Sequence, residues 1–229
     1  MTVSKTPSTT SVFANRSEAG RLLAQRLGRY AGRADVLVLG LPRGGVPVAF
    51  EVARALHAPL DAFVVRKLGV PYREELAMGA IARGGVRVLN RTVIESLQIP
   101  DWAVDEVATR EERELERREQ AYRAGRAAPD VSGRTIILID DGIATGATMR
   151  AAVAALRKLN AGRVVVATPT AARGTAEDMS GEVDEFVAVM KPAEFLGVGL
   201  WYEDFSQTTD KEVCDLLARG AGLAGSTGA

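Results

Sequence analysis

The stretch IILIDDGIATGATMRAAVAALRKL, residues Ile136 to Leu159, decides how the rest of the chain is read. Four apolar residues run straight into two adjacent aspartates, Asp140 and Asp141; small residues follow, and then a helical pattern begins. A short apolar run ending in turn residues reads as a buried strand. Two carboxylates at its end have no use in a core, where an unpaired charge is costly. They point to something outside it. Gly142 and Gly146 permit tight backbone geometry, and Thr145 to Thr148 fall where the next helix starts. The first N–H groups of a helix have no partner within it and, with the helix dipole, favour an anion. The hydroxyls of Thr145 and Thr148 add donors. The lysine of GxxxxGK[ST] is missing, so this is not a Walker A loop. A phosphate would be repelled by Asp140 and Asp141, whereas vicinal hydroxyls donate to carboxylates. Phosphate and diol about one sugar apart describe a ribose 5-phosphate. Two plainer readings are a Walker B-like metal pair and a simple helix cap. The first needs a phosphate loop elsewhere, and the sequence has none.

Working outward, VLVLG (Val36 to Gly40) reads as a buried strand broken by LPRGG (Leu41 to Gly45). A helix is expected from about Pro47, a tolerated first-turn position. AFVVR (Ala62 to Arg66) reads as a second short strand, followed by Lys67. Residues Leu68 to Val86 carry glycines, Pro71 and mixed charge, and predict a long excursion or mobile loop. Further strands are expected at Thr135 to Ile139, Arg163 to Ala167 and Glu185 to Val189, with a helix between each pair. Ser17 is placed as the cap of a first helix whose face holds Leu22, Leu23, Leu27 and Tyr30. Val104 to Arg123 predicts a highly charged helix with a narrow apolar stripe of Val104, Ala108, Leu115 and Tyr122. The spacings Glu106–Arg110, Glu114–Arg118 and Glu119–Arg123 support it as a solvated helix. The alternation gives the fold class: α/β, a mostly parallel twisted sheet with helices on both faces. In such sheets ligands bind beyond the carboxyl ends of the strands.

The 229 residues suit one domain with an elaboration. The formal net charge is +0, from 29 basic and 29 acidic residues, so no global field draws nucleic acid or an anionic membrane. One cysteine, Cys214, excludes an internal disulfide and a thiolate cluster. The only histidine, His57, sits at an expected helix end before Pro59 and reads as a terminal residue rather than a triad member. No apolar run reaches the ~18 residues of a membrane span. The Ser/Thr-rich start lacks the apolar region of a secretory signal, so residues 1–12 are expected to be a disordered lead-in and the protein cytoplasmic.

IILIDDGIATGATM closely resembles the phosphoribosyl-diphosphate signature of the type I phosphoribosyltransferases. LPRGG resembles that family's pyrophosphate loop, and VVRK its Arg-Lys pair before a flexible loop. The strings VRKLG, ELAMGAIA and VGLWYEDFSQTTDKEV extend the likeness to an uncharacterised bacterial subgroup, over nearly the whole chain. The resemblance implies one domain over residues 13–229, with a charged helical insertion near 91–130, a small hood, and an acceptor-side segment near 185–229. It implies Mg²⁺-dependent transfer of a 5-phosphoribosyl group from phosphoribosyl diphosphate to an unidentified small acceptor. Ala144, Thr145, Gly146, Ala147 and Thr148 would hold the 5-phosphate, and Asp140 and Asp141 the ribose hydroxyls. Arg43, Gly44, Gly45, Arg66 and Lys67 would meet the diphosphate, with Arg43, Lys67, Asp140 and Asp141 carrying catalysis. No residue need ligate the metal directly; Asp140 and Asp141 would reach it through water and substrate. A cis peptide is frequent in the family's pyrophosphate loop, and Pro42 suits one. Ala144 stands where hypoxanthine/guanine enzymes carry an acidic residue, which disfavours that acceptor class. For the acceptor, Phe195 and Trp201 are candidates to stack on a base, or equally core residues, and Lys191 is a candidate to donate to its carbonyl. The Leu68–Gly85 loop would close over the site. A homodimer is the expected assembly, and a non-catalytic sensor of phosphoribosyl diphosphate is the alternative to an enzyme.

Overall fold

The computed structural model describes residues 12–223. The expected lead-in over 1–12 lies outside the described residues except for Val12, which is exposed. Helix α1 (Arg16–Arg26) is capped by Asn15, whose Oδ1 accepts from the Glu18 amide at 3.0 Å. Ser17, expected to be that cap, falls inside the first turn because the chain is already helical at Arg16. Leu23, Leu27 and Tyr30 enter the main core, while Leu22 turns to a small cluster of Phe13, Ala19 and Tyr202.

Strand β1 (Val36–Gly40) is buried along its length. Helix α2 (Gly45–Leu56) starts two residues before Pro47, since Gly44 already has helical backbone angles. Pro47 lies in the first turn, where an amide would have no helical partner. His57 ends α2 with φ 53° and is exposed, as a helix-terminal residue should be.

The run Ala62 to Arg66 is not one strand. Strand β2 (Leu60–Ala62) ends at Ala62, buried Phe63 and Val64 cross over, and β3 (Val65–Val70) begins in a second sheet. Nor is Leu68 to Val86 a long loop. Strands β4 (Arg73–Ala82) and β5 (Val86–Leu89) complete an antiparallel sheet in the order β3-β4-β5. Two of the glycines that suggested a loop, Gly69 and Gly79, have sheet roles, and Gly84 and Gly85 turn the chain between β4 and β5 with φ 69° and 70°. The register of β3 on β4 shifts on either side of Gly69, the mark of a bulge. Gly79 makes room for its neighbour: a Cβ there would come 2.4 Å from the Val88 carbonyl oxygen.

Helices α3 (Arg91–Ser96) and α4 (Asp101–Arg123) follow. Val104, Ala108, Leu115 and Tyr122 are buried as expected, and Glu114–Arg118 and Glu119–Arg123 pair at 2.8 and 3.2 Å. Yet α4 is more than a solvated helix. Glu111 and Arg123 are also buried, held by Arg66 and Asp61.

The remaining elements are β6 (Thr135–Ile139), α5 (Ala147–Lys158), β7 (Arg163–Thr170), α6 (Arg173–Glu182), β8 (Glu185–Met190) and α7 (Asp210–Gly220). The main sheet has the order β2-β1-β6-β7-β8, with every pair parallel. Helices cover it, giving the doubly covered α/β fold the alternation predicts. From β1 the chain turns outward to β2 and later returns on the other side to β6. The strand order therefore reverses between β1 and β6, and a crevice opens beyond their carboxyl ends. Gly40 lies opposite Ile139 in the ladder, so LPRGG and Asp140-Asp141 leave the sheet side by side.

Candidate active site

Two loops meet at this crevice with almost no space between them. Gly45 packs against the end of β6: a Cβ there would lie 2.6 Å from the Ile139 carbonyl oxygen. At Gly44 a Cβ would lie 1.9 Å from Asp141 Oδ2. The peptide bond joining Pro42 to Arg43 is cis; it lies after the proline, one bond later than an ordinary cis-proline. The Gly45 amide, expected to face a diphosphate, instead donates to the Leu41 carbonyl at 3.0 Å and closes the turn.

Asp140 and Asp141 are not simply outside the core. Asp140 Oδ1 accepts from the Asp141 amide at 2.9 Å. Asp141 Oδ2 accepts from Arg16 Nε at 2.8 Å, and the Asp141 carbonyl accepts from the Tyr202 hydroxyl at 2.5 Å. Burial, and after it the adjacent Asp141 charge, pushes the Asp140 carboxyl well above the usual carboxylate range. Burial also raises Asp141, opposed by the hydrogen bond and charge of Arg16.

Asp140, residues Gly142 to Met149 and Val198 line a cavity of about 140 Å³, with Val198 packed against Gly142. That is several times the roughly 30 Å³ share of one water. Gly146, with φ 74°, brings the chain into α5 at Ala147, so the segment expected to hold a phosphate lies at a helix start. Ala144, Thr145, Ala147 and Thr148 are exposed. Two residues outside the motif shape this loop. Thr175 Oγ1 donates to the Ala144 carbonyl at 2.6 Å, and Arg150 Nη1 to the Thr145 carbonyl at 2.9 Å. A planar trans peptide sets its N–H opposite its C=O, so the Thr145 and Gly146 amides turn away from those partners. Arg150 is itself braced by Glu182 at 2.8 Å.

The cations divide. Arg43 is half-buried beside the crevice and Lys67 is exposed on β3. Arg66 does not join them. Successive strand residues point to opposite faces, and Arg66 turns to α4, where Nε donates to Glu111 Oε2 at 2.9 Å and Nη2 pairs with the same oxygen at 2.5 Å. Expected to meet a diphosphate, Arg66 is instead engaged by Glu111 in this structure.

A profile of the phosphoribosyl transferase domain matches residues 8–194, from the first helix through the last strand. The chain belongs to the phosphoribosyl transferase family. Relatives in two strains of Mycobacterium tuberculosis, both carrying provisional phosphoribosyl transferase names, are 49% identical over 208 residues. Those residues are 91% of this chain and 47% of each relative, so the chain spans about half the length of the curated proteins it matches. The crystal structure of TT1426 from Thermus thermophilus superposes with a TM-score of 0.83 at 40% identity, over 92% of this chain and all of that one.

In this phosphoribosyl transferase fold two of the acceptor candidates meet, and the third has another partner. Phe195 and Trp201 stack on each other, centroids 6.2 Å apart, while Lys191 sits 5.3 Å over Phe186. Trp201 also packs on the cluster of Phe13, Ala19 and Tyr202, so it serves partly as core. Arg16, Arg150, Thr175 and Val198 are the site residues that sequence reading missed. Their partners lie up to 190 residues away, and no local motif marks them.

Proposed function

We propose that the protein transfers a 5-phosphoribosyl group from phosphoribosyl diphosphate to a small acceptor, releasing diphosphate. The observation that supports it most is the convergence at one switch point of an acidic pair, a helix-start anion cup and the LPRGG loop. In this reading residues Ala144 to Thr148 bind the 5-phosphate and the acidic pair receives the ribose hydroxyls. Arg43, Lys67 and the Gly44 segment face the diphosphate. The bond from C1 to the diphosphate oxygen breaks with its electron pair leaving on diphosphate. The acceptor atom then bonds to C1, and its proton passes to solvent. Cations facing the departing oxygens stabilise them electrostatically.

Among the described residues no group of three or more His, Cys, Asp or Glu side chains gathers to hold a metal. In this reading a Mg²⁺ would be carried mainly on substrate oxygens and water, with Asp140 and Asp141 nearby. When bound, Mg²⁺ would neutralise charge on the leaving diphosphate.

Calorimetry with phosphoribosyl diphosphate and Mg²⁺ is the first test, with Asp140→Asn/Asp141→Asn as control. Binding lost in the double variant is expected; failure of the folded wild type to bind even at millimolar concentration would reject the reading. Diphosphate release, screened over nucleobases and small amines, identifies the acceptor. A non-catalytic sensor draws support from one observation, the removal of Arg66 from the cation set by Glu111. Tight binding without release across the whole panel would favour it.

A further inference from the structure

We propose that Arg16 is a positioning residue of the sugar site, setting Asp141 for the ribose hydroxyls and tying it to the segment 201–206. This rests on the phosphoribosyl reading above. Arg16 is the first residue of α1, yet its guanidinium stands against both loops of the crevice. Nε donates to Asp141 Oδ2 at 2.8 Å, and the same nitrogen lies 3.2 Å from where a Gly44 Cβ would be. Nη1 donates to the Ser206 carbonyl at 2.7 Å. The plane covers the Phe205 ring at 4.1 Å from its centroid and approaches Tyr202 at 5.9 Å. Its side chain is 12% exposed, and that of Asp141 13%.

The geometry leaves Asp141 with one carboxylate oxygen fixed by Arg16, so the other is held in a defined direction beside Asp140. An oriented acceptor oxygen is what a sugar hydroxyl needs. The planar fork of arginine makes the second tie possible at the same time. The segment it grips is also built onto the residues just before α1. The Phe13 amide donates to the Trp201 carbonyl at 2.9 Å, and the Glu203 and Asp204 amides donate to the Phe13 and Ala14 carbonyls at 2.8 and 3.0 Å. With the Tyr202 hydroxyl on the Asp141 carbonyl, these two segments form one clasp whose contact with the acidic pair runs through Arg16 and Tyr202. Occupation of the sugar site therefore acts on residues 201–206.

The test compares wild type, Arg16→Met and Arg16→Lys in the full chain by calorimetry with ribose 5-phosphate and with inorganic phosphate. Thermal unfolding checks that each variant is folded. Arg16→Met should lose at least about tenfold in ribose 5-phosphate affinity, the scale of one charge-assisted hydrogen bond. Its affinity for inorganic phosphate, which needs only the loop at 144–148, should hardly change. Arg16→Lys keeps the charge but not the fork and should fall between; it carries the comparison if Arg16→Met does not fold. Emission of Trp201, read in a Trp102→Phe background, should shift with ribose 5-phosphate when Arg16 is present and not in Arg16→Met. Equal ribose 5-phosphate affinity in all folded variants overturns the role of Arg16. A parallel loss of both ligands does so too, because it reports general collapse. An emission that ignores saturating ribose 5-phosphate in the Arg16 protein overturns the tie to 201–206. Failure of wild type to bind either ribose 5-phosphate or phosphoribosyl diphosphate rejects the phosphoribosyl reading itself.

Discussion

Gly44 shows how little tolerance the site has at the scale of one residue. Its φ of −63° is open to any amino acid, so the demand is for space alone. A methyl group there would overlap Asp141 Oδ2 at 1.9 Å. Gly44→Ala should push Asp141 aside and lower ribose 5-phosphate affinity by about tenfold or more, as loss of a charge-assisted hydrogen bond would; calorimetry on the folded variant checks it. Asp35 makes a separate prediction about pH. The Arg33 hydrogen bond first, and that of Thr135 second, hold its carboxyl at about 2, below the roughly 3.9 of an unperturbed aspartate. A carboxylate lowered on folding stabilises the native state above its unfolded value, and that contribution fades as pH falls from about 4 toward 2. Asp35 is exposed, so the effect should be small and weakened by salt. Urea midpoints for Asp35→Asn should lose part of the wild-type decline over that window. The motif residues Asp140, Asp141 and 144–148 were readable because their chemistry is local, a strand end running into a helix start. Arg16 and Thr175 were not, because each acts on a loop distant in sequence.

At the scale of elements, α4 is the part most changed by the structure. Its sequence reads as a solvated helix, yet Arg123 joins Asp61 at 3.2 Å and Glu119 at 3.2 Å, with Arg123 and Asp61 side chains each 10% exposed. The pair fastens the end of α4 to β2 of the main sheet. Arg123→Met would leave Asp61 buried without its cation, which typically costs about 3–5 kcal/mol. Chemical denaturation of the two proteins measures this; a loss below about 1 kcal/mol would mean that Asp61 finds water or another partner. Arg66 is fixed by Glu111 of the same helix, which explains why a cation adjacent in sequence to Lys67 is absent from the crevice. The helical period of α4 was legible; which of its charges turned inward was set by what the two sheets present to it, Asp61 from the main sheet and Arg66 from the second.

Across the whole molecule, segments nearly two hundred residues apart in sequence (roughly the span from Phe13 to Tyr202) are brought together at the site. Phe13 is 2% exposed and stacks obliquely on Tyr202 with centroids 5.4 Å apart. Phe13→Ala should cost about 3–5 kcal/mol, the usual range for a buried phenylalanine, and should also loosen the segment under Trp201. Denaturation gives the first and Trp201 emission the second; a stability loss with unaltered emission would separate the core role from the clasp. By itself the sequence determined the parallel α/β alternation, the acidic pair at a strand end and the helix start that follows it, because hydrophobic period, turn residues and helix starts are encoded over a few neighbouring positions. Only the tertiary structure decided that Leu68 to Val86 joins a second sheet, that Arg66 pairs with Glu111 of α4, and that Arg16 reaches Asp141. Those outcomes depend on which surfaces meet after the chain has folded back on itself, and a linear pattern holds no record of that choice.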